Sequence, residues 1–217
     1  MHRIKYLVLG ITILSLLGIQ KLPGESNKEK INRVADSAGE ICPLIVGDKA
    51  PDISLTTASG EPFNLNSALS RQPTLLIFYR GGWCPFCNMH LSELQNIRDD
   101  LAELGYQILA ISMDRPRELR ESRGKHQLSY TLLSDSAAVA ARAFGLAYRV
   151  RDTKVKQLKK GDMNIEKASG KSHHILPVPA AYIIGTDGKI RFEYTNPNYK
   201  VRVNAEVVLA AARVWQE

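Results

Sequence analysis

Thr74-Leu75-Leu76-Ile77-Phe78-Tyr79-Arg80-Gly81-Gly82-Trp83-Cys84-Pro85-Phe86-Cys87 reads as a strand running into a helix, with two cysteines at the joint. Thr74 to Tyr79 is an unbroken apolar run of the kind buried on both faces of a parallel sheet. Arg80-Gly81-Gly82 supplies the turn. Beyond it Leu91, Leu94, Ile97, Leu101 and Leu104 recur at helical spacing, and Gly105 stands where a helix C′ glycine belongs. Cys84 therefore falls at or just before the first helical turn, where Pro85 is tolerated because that N–H needs no intrahelical partner. The free N–H groups and the positive end of the helix dipole favour a thiolate, so Cys84 is predicted to be more acidic than a free cysteine. Cys87, one turn along on the same face, is close enough to close a disulfide.

A CxxC in this context reads as a redox device, with Cys84 and Cys87 as the candidate catalytic pair. Inert structural thiols and a metal site are the competing readings. A structural zinc usually takes four ligands, whereas the chain has three cysteines, no second CxxC and no His-x₃₋₅-His. His90 as a third ligand would lie roughly 120° around the helix from Cys84, a poor arrangement for one ion. No metal or other cofactor is expected.

With 217 residues and 44% hydrophobic content, the chain suffices for one good core plus extensions. The start reads as a signal peptide or N-terminal anchor over residues 1–24: His2, Arg3 and Lys5 are followed by the apolar stretch Tyr6 to Ile19. That stretch is short of the ~20 residues a comfortable span needs. Its presence predicts an extracytoplasmic address, in the periplasm or cell envelope. Residues 25–40, around Ser26-Asn27-Lys28-Glu29-Lys30, read as a linker, and residues 41–217 as the folded domain. The formal charge is +7, but Arg3, Lys5 and Lys21 sit in the leading segment and leave +4 elsewhere. That excess concentrates between Arg149 and Lys171 in a polar insertion near 151–174 without strong periodicity. It carries no aromatic interleaving and no nucleic-acid motif.

The remaining elements alternate. Tyr106 to Ser112 is a second buried strand, Arg117 to His126 a helix entered through Pro116, and Tyr130 to Leu133 a short strand. Asp135 is placed to cap a helix over Ser136 to Phe144. Val178 to Ile184 is a strand entered through Pro179, and Thr186-Asp187-Gly188-Lys189 turns it into Ile190 to Tyr194. A last helix starts near Asn204, and a small hairpin around Ser59-Gly60 precedes the whole. This order gives an α/β architecture with a mixed central sheet flanked by helices.

Val46 to Asp52, Phe78 to Asn88, Leu128 to Asp135, Ala143 to Leu146 and Leu176 to Ile184 together resemble the alkyl hydroperoxide reductase/thiol-specific antioxidant (AhpC/TSA) group of peroxiredoxin-like proteins, within the thioredoxin superfamily. The resemblance covers about residues 44 to 200. It implies a thioredoxin-like fold and a thiol-dependent antioxidant oxidoreductase that reduces hydroperoxides through Cys84. A Cys84–Cys87 disulfide would form and be re-reduced by a thioredoxin-like protein. Trp83 and Arg80 would support the thiols, and Val178-Pro179 stands where thioredoxin-like folds place a cis proline beside the CxxC. Two departures accompany it: Gly81 stands where such peroxidases carry Thr or Ser, and Pro179 where they carry an arginine. Two alternatives stay open: a protein disulfide oxidoreductase without peroxidase activity, and a copper or zinc carrier using the CxxC pair, with His173 or His174. Cys42, flanked by Ile41, Pro43 and Leu44, reads as a spectator thiol.

Overall fold

A computed structural model describes residues 32–215, and the leading segment, with residues 25–31 of the linker, lies outside the described residues. The chain opens with the hairpin β1 (Ser54–Thr57) and β2 (Pro62–Asn64), then α1 (Leu65–Leu69) and β3 (Thr74–Phe78). The run that follows β3 forms two helices, α2 (Pro85–Asn96) and α3 (Arg98–Glu103), which break at Ile97. Gly105 ends them with φ +86, a conformation glycine adopts without steric cost. Next come β4 (Gln107–Ser112), α4 (Pro116–Lys125), β5 (Thr131–Ser134) and α5 (Val139–Ala143). β6 (Ala147–Arg149), α6 (Asp152–Lys160), α7 (Ile165–Ser169) and β7 (Ile175–Pro177) form a side unit. The chain then returns through β8 (Ala180–Ile184), β9 (Ile190–Thr195) and α8 (Ala205–Val214).

The seven-stranded sheet has the order β2-β1-β5-β4-β3-β8-β9, with β3, β4 and β5 parallel and the rest antiparallel. Alternation along β3 explains why its whole sequence is apolar. Leu75, Ile77 and Tyr79 pack with α2 and α8 on one face, and Leu76 and Phe78 pack with α1 and Phe144 on the other. Cys84 and Cys87 belong to the first of these two cores.

The structure differs from the sequence reading in several places, three of which concern the organisation of the domain. The segment 151–174 is helical in α6 and α7, because Val155, Leu158 and Ile165 bury a small core of their own. The folded part begins before Ile41: Ala35 is 2% exposed and exchanges backbone hydrogen bonds with Ala147 and Arg149. Val178–Pro179 is trans, since there is no cis peptide among the described residues. Its position accounts for this: the ladder with β3 starts at Ala180 opposite Phe78, so the missing N–H of Pro179 falls outside it.

Candidate active site

The site is assembled at the carboxyl end of β3, where Arg80-Gly81-Gly82-Trp83 turns the chain into α2. Gly81 has φ +152, and a Cβ there would collide with the Trp83 indole nitrogen and lie 2.7 Å from Asp114 Oδ1. The turn thus has no room for a hydroxyl side chain at this position. It is held from both sides. The Gly82 N–H donates to Asp114 Oδ2 at 2.7 Å, and Asn88 Nδ2 donates to the Gly82 carbonyl at 2.8 Å.

Cys84 is the N-cap of α2, in extended conformation (φ −94, ψ 113), with Pro85 in the first turn. Its carbonyl accepts from the N–H of Cys87 and of Asn88, each at 3.0 Å. Its sulfur makes no close capping bond to the first helical N–H groups, although the Cys87 N–H lends it a minor share of its stabilisation. Both thiols are buried and reduced, each 1% exposed. Burial alone would raise the pKa of each. For Cys84 a hydrogen bond from the Cys87 thiol outweighs that penalty, with the Arg80 and Arg202 charges adding to it, and brings the pKa down to about 6. Cys87 moves the other way: burial, and its role as donor to Cys84, hold its thiol well above the usual cysteine range. The pair is therefore asymmetric, one thiolate and one thiol.

Two guanidiniums bracket the sulfurs. Arg80 is 4% exposed, with its Nη1 3.9 Å from Cys84 Sγ. It lies 4.9 Å from the Trp83 ring centroid and 4.0 Å from that of Tyr199. Arg202, from the loop before α8, places Nη2 3.4 Å from Cys87 Sγ. Phe86 packs edge-on against Tyr199 at 5.9 Å. His90 is buried one turn beyond Cys87; burial, then the Arg202 charge, push its pKa down to about 4 and leave it neutral. Asp114 sits beneath the turn. Its burial drives the pKa up to about 7, and its Oδ1 has no hydrogen-bond partner.

Sequence and structure can be matched residue by residue. Cys84, Cys87, Trp83 and Arg80 come together; Arg80 is a buried neighbour of the thiolate and not a surface side chain. Pro179 borders a narrow gap that it shares with His90 and Arg202, so it sits near the pair although its bond is trans. Cys42 lies apart, hydrogen-bonded through its backbone N–H to the Gly145 carbonyl, between Ile41 and Leu44 on the opposite face of the sheet. His173 Nε2 is bound to the Ser136 carbonyl, and His174 lies between Asp152 and Glu166. The described residues contain no cluster of His, Cys, Asp and Glu fit to hold a metal ion. Two cations beside the sulfurs repel a divalent ion, which weighs against a metal carrier.

Arg202, Asp114, Asn88, Tyr148 and Tyr199 were not singled out from the sequence. Asp114 alone carried a signal, since it follows a buried parallel strand at its carboxyl end, where α/β sheets place their sites. Arg202 is 115 residues from the thiol it touches, and nothing local marks it.

A mixed α/β sheet with a CxxC at a strand-to-helix turn defines a thiol redox protein of the thioredoxin fold, and comparison with known proteins agrees. The AhpC/TSA family model matches residues 46–193, and the chain belongs to that family. Peroxiredoxin Bcp of Escherichia coli K12 is 36% identical over 104 residues, which is 48% of this chain and 66% of the relative, just under two thirds of its length. Among solved structures, peroxidoxin BcpB of Mycobacterium tuberculosis superposes with a TM-score of 0.64 at 22% identity, over 80% of this chain and 99% of that one. Peroxiredoxin Q of Xanthomonas campestris gives 0.61 at 17% identity, over 80% and 98%. These two similarities establish the fold.

Proposed function

We propose that the protein is a thiol-dependent peroxidase in which Cys84 is the nucleophile. The observation that carries this reading is the asymmetric pair: an acidic sulfur at a helix N-cap, flanked by Arg80, with its thiol partner one turn away. The Cys84 thiolate attacks one oxygen of a hydroperoxide, the O–O bond breaks, and the departing alkoxide or hydroxide takes a proton. Cys84 is left as a sulfenic acid. The Cys87 sulfur then attacks Cys84, the Cys87 proton leaves with the sulfenic oxygen as water, and a Cys84–Cys87 disulfide remains. A dithiol protein of the thioredoxin type reduces that disulfide by exchange, becoming oxidised in turn. Arg80 and Arg202 serve as the donors that this arrangement offers to a peroxide oxygen, in place of a hydroxyl at position 81.

The absent hydroxyl also supports a second reading, exchange with protein disulfides without peroxide chemistry, because that reaction needs the acidic thiol and no peroxide-polarising group. Peroxide consumption coupled to a thioredoxin system, set against reduction of a protein disulfide by the same preparation, separates the two. The peroxidase reading predicts peroxide turnover that Cys84→Ser abolishes. Turnover that survives the substitution overturns it. We further infer an extracytoplasmic location from the basic and apolar opening of the sequence. No described helix is long and apolar enough to cross a membrane. Recovery of the protein in the cytoplasmic fraction alone would contradict that location.

A further inference from the structure

Beside the thiols lies a cleft of about 450 Å³ that the reaction as described leaves unused. It runs from Arg80 at its inner end, past Tyr148 and Tyr199, to Arg149, Arg151 and Lys154 at its mouth. Four cationic side chains line it and a single acid, Asp36, opposes them. The first turn of α6, with Arg151 as its N-cap, faces the same space and adds the positive end of a helix dipole. Arg80 ties this cleft to the chemistry, because the residue that lines it also reaches the Cys84 sulfur. Tyr148, part-way along, is close enough for the Arg80 charge and both thiols to act on its hydroxyl.

The inner end holds an unused donor. Arg80 is 4% exposed, and its Nε is buried with no hydrogen-bond partner. Such a group stays costly until something accepts from it. Three exposed cations at the mouth, with two aromatic walls leading inward to Arg80, suit an elongated molecule carrying an anionic end. Arginines bind carboxylates in bidentate geometry, and aromatic faces pack against an apolar stem.

We propose that this cleft binds the carboxylate of a small substrate whose reacting end meets Cys84, with Arg149, Arg151 and Lys154 as the residues that select for it. The proposal rests on the peroxidase reading for its place in a cycle, but the binding itself does not require turnover. A carboxylate-bearing hydroperoxide and a carboxylate-bearing thiol reductant share this chemistry, and the test separates them.

In a Cys42→Ser background, the rate of Cys84 alkylation is measured with maleimidohexanoate and with its methyl ester. The acid is expected to react about tenfold faster relative to the ester than it does with a free thiol, as two or three partly exposed ion pairs would give. The triple variant R149Q/R151Q/K154Q, at three exposed positions, is expected to bring that ratio back to the free-thiol value. In turnover, a short hydroperoxy acid is compared with its methyl ester, and 3-mercaptopropionate with its methyl ester as reductant. A charge preference in the oxidant arm assigns the cleft to the peroxide, and one in the thiol arm assigns it to the reductant. Free-thiol ratios in the wild type, in alkylation and in both turnover arms, overturn the proposal. Loss of all peroxide turnover alongside an intact alkylation preference would instead overturn the peroxidase reading and leave the cleft standing.

Discussion

At the end of β5 the chain turns through Asp135 into α5; at the end of β3 it turns through Cys84 into α2. Both turns follow buried parallel strands and both place an anionic group at the start of a helix. Asp135 is 3% exposed and spends its carboxylate on the backbone, accepting from Val139 N–H at 2.7 Å and Ala141 N–H at 2.8 Å. Burial drives its pKa up to about 6, and the N–H donors hold it from rising further. Cys84 makes no close capping bond at its sulfur, and the Cys87 N–H supplies only a minor share of its stabilisation. Its negative charge is stabilised by the Cys87 thiol and by guanidiniums, all of which leave a lone pair free. The same local architecture therefore gives a structural cap in one case and a nucleophile in the other. What differs is whether the helix consumes the anion.

The largest expected effect comes from removing the uncommitted anion. Cys84→Ser should lower peroxide turnover on the order of a thousandfold or more, because a serine hydroxyl here has no base beside it. Steady-state consumption of hydrogen peroxide checks it. Cys87→Ser replaces a thiol donor with a hydroxyl of different reach and removes the resolving sulfur. Oxidation should then stop at a Cys84 sulfenic acid, trapped by dimedone and seen by mass spectrometry, with no intramolecular disulfide.

Arg80→Met removes a charge that favours the thiolate. The Cys84 pKa should rise from about 6, and second-order oxidation at pH 7 should slow about tenfold, as one charge-assisted contact is lost. Stopped-flow fluorescence at several pH values shows whether the loss shrinks as the pH rises, which a purely structural defect would not produce.

Asp135→Ala should reverse the pattern. It should cost about 2 kcal/mol of stability through the lost cap, read by urea denaturation. The oxidation rate of the folded protein should change less than twofold, since the hydrogen bonds of this carboxylate go to α5 and none goes to the thiols.

The smallest effect is expected at Asp114→Asn, which keeps an acceptor for the Gly82 N–H. The folded pKa of Asp114 lies near 7, above its unfolded value of 3.8. A raised folded pKa contributes stability that is fully present below the unfolded value and lost as the pH climbs through 7. Asn has no such loss. The variant should therefore gain on the wild type as pH rises from 5 to 8, most of the gain coming below pH 7. The Cys84 pKa should stay near 6, because Asp114, with a pKa of about 7, is mostly neutral where Cys84 titrates. Denaturation midpoints at pH 5 and 8 check the first expectation, and thiolate absorbance the second.

Much of this comparison was legible in the sequence. The run Thr74 to Tyr79, the glycines of the turn and the leucine periodicity fix β3 and α2, and Asp135 stands out as a cap. The helix it caps starts later than the pattern suggests, at Val139, because Ala138 takes a left-handed conformation with φ 57. The helices of segment 151–174 were missed because each is short and buries few apolar side chains, too few to outweigh a lysine-rich composition. The arginines were harder. Arg80 looks like a surface residue in a turn, and only the folding of Trp83 and Tyr199 around it makes burial of its charge tolerable. Arg202 reaches the site by tertiary packing alone. Pro179 was assigned a cis bond by likeness to other members of the superfamily, whereas the ladder here begins one residue later and makes no demand on it.

The proposed chemistry depends on a difference in acidity between two cysteines three positions apart. The direct measurement is the pH dependence of Cys84 alkylation by iodoacetamide in Cys42→Ser protein, with the modified residue identified by mass spectrometry. The account predicts a rate that rises with pH to a midpoint near 6 and then levels, with Cys87 unmodified throughout that range. A midpoint near 9, or modification of Cys87 ahead of Cys84, would contradict it.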